Sequence, residues 1–226
     1  MRHLRTYLLL LSFCCIWRYA PAQVPGYSGF RTLLQIEGNA FPAALQAIQG
    51  NGLGVNLWPS LSIEHVISRR TSVGATSFWY DSQTRYDYEG RSGQVQLTGL
   101  AVGAFVRSYA FLRRGHMAPI GIFQQVELSY LRHQLTDVDQ QFYSDGRPDL
   151  GRFPDIRLGI SMGSQRILPP HFVLHWQVTG AWLFGAFAPI EPLFPVEEVY
   201  LHRIATARLR GVFGLSIKGG IGILLF

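Results

Sequence analysis

The chain has 226 residues, of which 48 % are hydrophobic and only 15 % charged, against about 25 % charged in ordinary soluble domains. This excludes a disordered chain and points to one domain without the usual charged surface. The formal net charge of +6 overstates the basicity, because Arg2, Arg5 and Arg18 sit at the extreme N-terminus, so nucleic acid is not an expected partner. Both cysteines, Cys14 and Cys15, lie there too, which excludes a disulfide framework or a cysteine metal site further along.

Arg2, His3 and Arg5, the apolar run from Tyr7 to Trp17, and Ala20-Pro21-Ala22 read as a secretory signal peptide over residues 1–22, cleaved between Ala22 and Gln23. The run is too short for a bilayer helix, which needs about 20 apolar residues. Leu11-Ser12-Phe13-Cys14 has the outline of a lipoprotein site, but bulky Phe13 stands where a small residue is required. No later stretch is long and apolar enough for a membrane helix. Residues 23–226 form the remaining domain.

That domain alternates with period two, as strands do. Leu33–Gly38 sets Leu34 and Ile36 against Gln35 and Glu37. Leu53–Ile67 sets Val55, Leu57, Leu61 and Ile63 against Asn56, Ser60, Ser62 and Glu64. Thr71–Tyr80 is poor in large aliphatics but rich in Ser, Thr and aromatics. Gln94–Leu112 opposes Leu100, Val102, Ala104 and Val106 to Gly103, Phe105 and Arg107. Ile120–Gln134 opposes Ile122, Val126, Leu128 and Tyr130 to Gln125, Glu127, Ser129 and His133. Ile156–Met162 opposes Ile156, Leu158, Ile160 and Met162 to Arg157, Gly159 and Ser161. Phe172–Phe184 opposes Phe172, Leu174, Trp176, Val178, Trp182 and Phe184 to His175, Gln177 and Thr179. The last segment sets Leu209, Phe213, Leu215, Ile217, Ile221 and Ile223 against Arg208, Arg210, Ser216 and Lys218. Eight strands are expected.

A soluble exported sandwich would alternate as well. Two features favour a membrane barrel. Several segments run to about 12 residues, against about 5–6 in soluble strands. The connections also alternate: long at Asn39–Asn51, Asp81–Ser92, Asp137–Arg152 and Ala188–Thr206, short at Ser68–Arg70, Arg113–His116 and Leu168–Pro170. Short periplasmic turns and long outside loops are the pattern of outer-membrane barrels. The expected fold is therefore all-β, an eight-stranded antiparallel up-and-down transmembrane β-barrel in the outer membrane of a Gram-negative bacterium, with both termini periplasmic. Its polar face would fill the lumen, where Glu37, Glu64, Arg107, Glu127, Arg157, His175 and Lys218 are expected to form a network, since buried charges must be paired.

Leu61-Ser62-Ile63-Glu64 before Ser72-Val73-Gly74, Ala118-Pro119-Ile120-Gly121 leading into Glu127-Leu128, Arg157-Leu158-Gly159-Ile160, and the end Lys218-Gly219-Gly220-Ile221-Gly222-Ile223-Leu224-Leu225-Phe226 resemble segments of the small outer-membrane β-barrel family. The resemblance runs from Leu33 to Phe226. It implies that Gly220, Ile223, Leu225 and Phe226 belong to the signal read by the barrel-assembly machinery during biogenesis. One departure stands out: Phe226 shares parity with Lys218, whereas such a terminal aromatic usually faces lipid. Either a bulge at Gly219-Gly220 resets the phase, or Phe226 plugs the periplasmic end of the lumen.

Some small barrels modify lipids. A Ser–His pair on one strand face would need spacing of two, and no His has Ser or Thr two residues away, which leaves only a cross-strand arrangement. Glu64 and His65 point to opposite faces. Glu197, Glu198 and His202 have helical metal-ligand spacing, and Asp137, Asp139, Asp145 and Asp149 punctuate one loop. A solvated loop accounts for the former, and Asp145-Gly146 reads as an ordinary turn. No catalytic residue, cofactor or metal is assigned. Aromatics at Phe78–Tyr80, Tyr109, Phe111, Trp182, Phe184 and Phe187 are expected as interface belts. Apart from Lys218 the basic residues are all Arg, whose forks bind phosphate bidentately, so lipopolysaccharide at the outer rim, through Arg85 and Arg91, is an expected partner alongside membrane lipids. A monomer with a structural or surface-recognition role is expected. A narrow pore and a lipid-modifying enzyme remain as alternatives.

Overall fold

The structure is a computed structural model that describes residues 31–43, 54–68, 70–88, 91–109, 118–139, 149–169, 171–184 and 214–225. Eight strands follow one another along the chain. They are β1 (Thr32–Ala43), β2 (Gly54–Val66), β3 (Thr71–Tyr88), β4 (Arg91–Ser108), β5 (Gly121–Asp137), β6 (Asp149–Leu168), β7 (Phe172–Phe184) and β8 (Leu215–Leu225). Each pairs antiparallel with its sequence neighbours, and β8 pairs with β1, closing the barrel. Thr32 opposes Leu225, so β1 starts and β8 ends at one rim, called here the terminal rim.

The register is inclined. From Thr32 the partners run through His65, Val73, Val106, Val126, Ile160, Gly180 and Leu215. Leu215 lies two residues beyond Ile217, which opposes Ala40. The circuit therefore returns to β1 at Pro42, about ten residues above its start, the stagger that tilts strands by about 35–45° and narrows the barrel until side chains fill it.

Burial follows the alternation inside out. Along β5 every second residue from Phe123 to Asp137 is buried, and Ile122, Val126, Leu128 and Tyr130 between them are exposed. Buried polar and charged residues outnumber buried apolar ones among the described residues. Leu57, at 71 % exposed, and Ile36, at 67 %, lie on the outer face, whereas Glu64 and Gln35 are fully enclosed.

Several strands are longer than their apolar alternation. β1 runs beyond Gly38 because Asn39 and Phe41 continue its inner face, the latter with a ring. The expected loop at Asp81–Ser92 is instead a continuation of the β3–β4 ladder to Tyr88 opposite Arg91. Its Ser, Gln, Thr and Tyr residues lack the greasy face that marks a strand. At the other end, β4 stops at Ser108 rather than Leu112, so the connection to β5 is longer than the expected turn at Arg113–His116, which lies outside the described residues. Length thus does not alternate strictly around the barrel. β8 begins at Leu215, and Leu209 and Phe213 fall outside the description.

Gly219 and Gly220 hold no bulge. Both β8 ladders run without a register shift, because neither glycine needs an extra residue to pair. Leu224, with the parity of Phe226, points inward at 6 % exposed and packs on Leu33 and Val173, closing the terminal end of the lumen. Phe226 itself, the leader with Ala22 and Gln23, and Glu197, Glu198, His202 and Asp145 lie outside the described residues.

One ladder ends early for a covalent reason. β2 and β3 pair only up to Ser60 opposite Phe78, although both strands continue. The Val66 amide donates to Arg31 beside β1, so by alternation the odd residues of β2 direct their backbone groups at β3. Pro59 is the next odd residue and has no N–H to give. Above it the Trp58 indole spans the interval, donating to the Asp81 carbonyl at 3.0 Å.

Candidate functional site

The lumen gathers the chemistry of this chain. Nearest the terminal rim, Leu33, Val173 and Leu224 form one apolar cluster and Val66, Tyr109, Ala118 and Phe123 another.

Above them lies Arg107, 1 % exposed and projected inward by β4. Its Nη1 donates to Glu64 Oε2 at 2.6 Å and to Gln165 Oε1 at 2.8 Å, and its Nε donates to Gln125 Oε1. The guanidinium also lies 4.6 and 4.5 Å from the ring centroids of Phe105 and Phe123, contacts that favour a cation on a ring face. Glu64 is enclosed by donors: Tyr109 Oη at 2.7 Å, Gln165 Nε2 at 3.1 Å and the Ser72 hydroxyl. A buried carboxylate needs such a shell to offset lost hydration.

Two further charge clusters stand beyond it. Glu127 accepts from Arg157 Nη1 at 2.9 Å, Ser129 Oγ at 2.8 Å and Gln125 Nε2 at 3.0 Å. Glu37 meets Lys218 Nζ at 3.3 Å and His175 Nδ1 at 3.2 Å, and accepts from Ser60 and Ser62. The seven residues singled out from the sequence are thus all inside, in three clusters. Gln125 links the Arg107 and Glu127 clusters, and His175 lies between Glu37 and Arg107, 3.5 Å from its Nη2. The glutamines at 35, 125, 165 and 177 bridge those charges; the first two and Gln177 belong to the polar faces read from the sequence, but none was expected in the network. Gln35 and Gln125 each stand two residues from a network glutamate, whereas Gln165 lies beyond the segment Ile156–Met162 over which alternation is clear.

The opposite end of the lumen is aromatic. Phe41 lies 4.5 Å from Trp58 and 6.4 Å from Phe78, centroid to centroid, and Tyr80 follows at 5.5 Å from Trp58. Tyr80 hydrogen-bonds His133 Nδ1, whose Nε2 is 3.7 Å from Asp155 Oδ2. The expected belt is accordingly split. Trp79, Trp182 and Phe184 are exposed, but Phe78, Tyr80 and Tyr109 have inward parity and are buried. Phe111 and Phe187 lie outside the described residues. Glycine makes room for these rings: a Cβ on Gly99 would stand 2.0 Å from the Tyr80 hydroxyl and 2.4 Å from the Arg132 carbonyl oxygen.

Cross-strand hydroxyl–imidazole pairs exist at Tyr80–His133 and at Thr32–His65, the latter 3.1 Å apart on the outer face. Neither includes a serine. Among the described residues no group of three or more His, Cys, Asp or Glu is placed to hold a metal. Of the residues expected to belong to an assembly signal, Ile223 points outward, Leu225 is half-buried at the rim, and Gly220 faces the lumen, where a Cβ would stand 2.4 Å from the Ile36 carbonyl oxygen.

No protein-family model matches the chain, and no curated protein matches it. Among solved structures it is similar to Neisserial surface protein A, at 13 % identity and a TM-score of 0.42, covering 88 % of this chain and 99 % of that one. It is also similar to the attachment invasion locus protein Ail of Yersinia pestis, solved with the heparin analogue sucrose octasulfate, at 7 % identity, a TM-score of 0.39 and coverage of 85 % and 94 %. A third is the N-terminal β-barrel domain of Pseudomonas aeruginosa OprF, at 13 %, 0.39, 87 % and 99 %. At these identities, chemistry must be read from this chain's own side chains.

Proposed function

We propose that the chain is an integral outer-membrane barrel with a filled polar lumen, working as a structural or surface-recognition element through the segments at the rim opposite the termini. One observation carries this: charges are enclosed and paired while Ile, Leu, Val and Trp cover the outside. In water that arrangement would leave a contiguous apolar surface far beyond what soluble monomers tolerate. In a bilayer, lipid covers it, and closure by the β1–β8 ladder pairs the strands on both sides through the middle of the barrel. The terminal rim is then periplasmic.

The ion pairs and the apolar clusters below them support a plugged interior rather than a water path, and the buried Tyr80–His133–Asp155 line offers no nucleophile to a substrate. A recognition role follows from what remains accessible, namely the outer ends of the strands. Refolded protein in detergent should migrate differently before and after boiling, and should give no discrete openings in planar bilayers. Identical bands would count against the barrel in lipid, and stepwise conductance would replace the plug with a pore.

A further inference from the structure

We infer that a groove on the outer face between β1 and β5 holds one glycerophospholipid, its phosphate at the terminal rim and an acyl chain running up the wall; this rests on the membrane reading above. The groove has a volume of about 650 Å³. Two adjacent register rows line it: His65, Val73, Val106 and Val126 below, Ile63, Ala104 and Leu128 above. Ala75 and Ala104 oppose each other in the middle of the upper row. The wall is therefore only methyl-deep between Ile63 and Leu128, which stand 47 % and 57 % exposed on either side. A trough of this kind fits a flexible hydrocarbon chain, which gains dispersion contacts that a flat surface would not give.

The lower end is polar. Thr32 and His65 meet there, and Arg31 and Arg70 are exposed at the same rim. Glu64, the carboxylate closest in sequence, points inward and is already paired with Arg107. The exposed carboxylates with described side chains, Asp81 and Asp139, belong to the opposite rim. Cations with no described side-chain carboxylate beside them, at the foot of an apolar trough, complement a phosphodiester on an acyl tail.

Native mass spectrometry of the refolded full chain, loaded with phosphatidylglycerol and exchanged into lipid-free detergent, tests the inference. A plateau at one retained lipid is expected. Ala104→Leu, which fills the trough from outside, should lower retention at least fivefold. Joint Arg31→Gln, His65→Gln and Arg70→Gln should lower it at least threefold. Gly180→Leu, in open space on the outer face of β7, should leave it unchanged. Equal retention by Ala104→Leu, or several lipids without a plateau, would overturn the site and leave only annular lipid. The unheated gel shift separates this from failure of the membrane reading: a variant that keeps the shift still forms the barrel, and a chain that stays in solution without detergent overturns both.

Discussion

The two ends of the lumen solve one packing problem by different means. Toward the terminal rim, three acidic side chains meet two arginines, a lysine and a histidine, with glutamines and hydroxyls completing the shells. Toward the other rim, Phe41, Trp58, Phe78 and Tyr80 fill the same cross-section with rings, and Tyr80 reaches His133 beside them. The charged end gives specificity at a desolvation cost, because each ion must keep its partner. The ring end is more forgiving, because losing contact area there strands no charge. Substitutions should therefore be punished unequally.

The largest expected effect is at Arg107. Arg107→Met strands Glu64 in the lumen and should destabilise the barrel by about 3–5 kcal/mol, while adding Glu64→Gln should recover most of that loss. Urea unfolding of the refolded protein in micelles, followed by the unheated gel band, reads both; equal stability of Arg107→Met and the native chain would erase the distinction between the two ends. Gly99→Ala comes next, since its methyl collides with Tyr80 and with backbone on β5. Overpacking of this kind costs about 1–3 kcal/mol, and a neutral result in the same titration would show that the Tyr80 ring has space to move.

Tyr80→Phe removes the bond to His133 but keeps the ring, and about 1 kcal/mol should be lost. A loss as large as that of Arg107→Met would mean that the ring end is held by polar contacts after all. Smallest in stability are Arg85→Ala and Arg91→Ala at the outer end of the β3–β4 hairpin, expected within about 0.5 kcal/mol of the native chain. Together they should lower lipopolysaccharide co-purification, and unchanged co-purification would remove the phosphate-binding role from that hairpin.

The same contrast decides what could be read from the amino-acid sequence. At the charged end, single charges such as Arg107 and Glu127 stood out among small residues of one parity, so their inward direction was legible before any coordinates. Their partners were not, because Arg107 finds Glu64 across the lumen, 43 positions away, and pairing across a barrel leaves no local trace. At the ring end the expectation of an aromatic belt misleads, whereas parity holds. Phe78 and Tyr80 look like lipid-facing residues, yet they share the inward parity of Ser72 and Thr76 and are buried. The upper β3–β4 hairpin was missed because both its faces are polar, so period two carries no contrast there. Pro59 did carry a signal, a missing donor within a strand, but which neighbour it deprives depends on the parity set by the Val66 amide.

The central claim is the direction in which the apolar face points, and fluorescence can address it residue by residue. Variants retaining one tryptophan each, Trp182 on the outer face or Trp58 in the lumen, would be refolded into vesicles of phosphatidylcholine brominated along its acyl chains. Strong quenching of Trp182 and much weaker quenching of Trp58 is the expected result. A shielded Trp182, or a Trp58 quenched as strongly, would contradict the account.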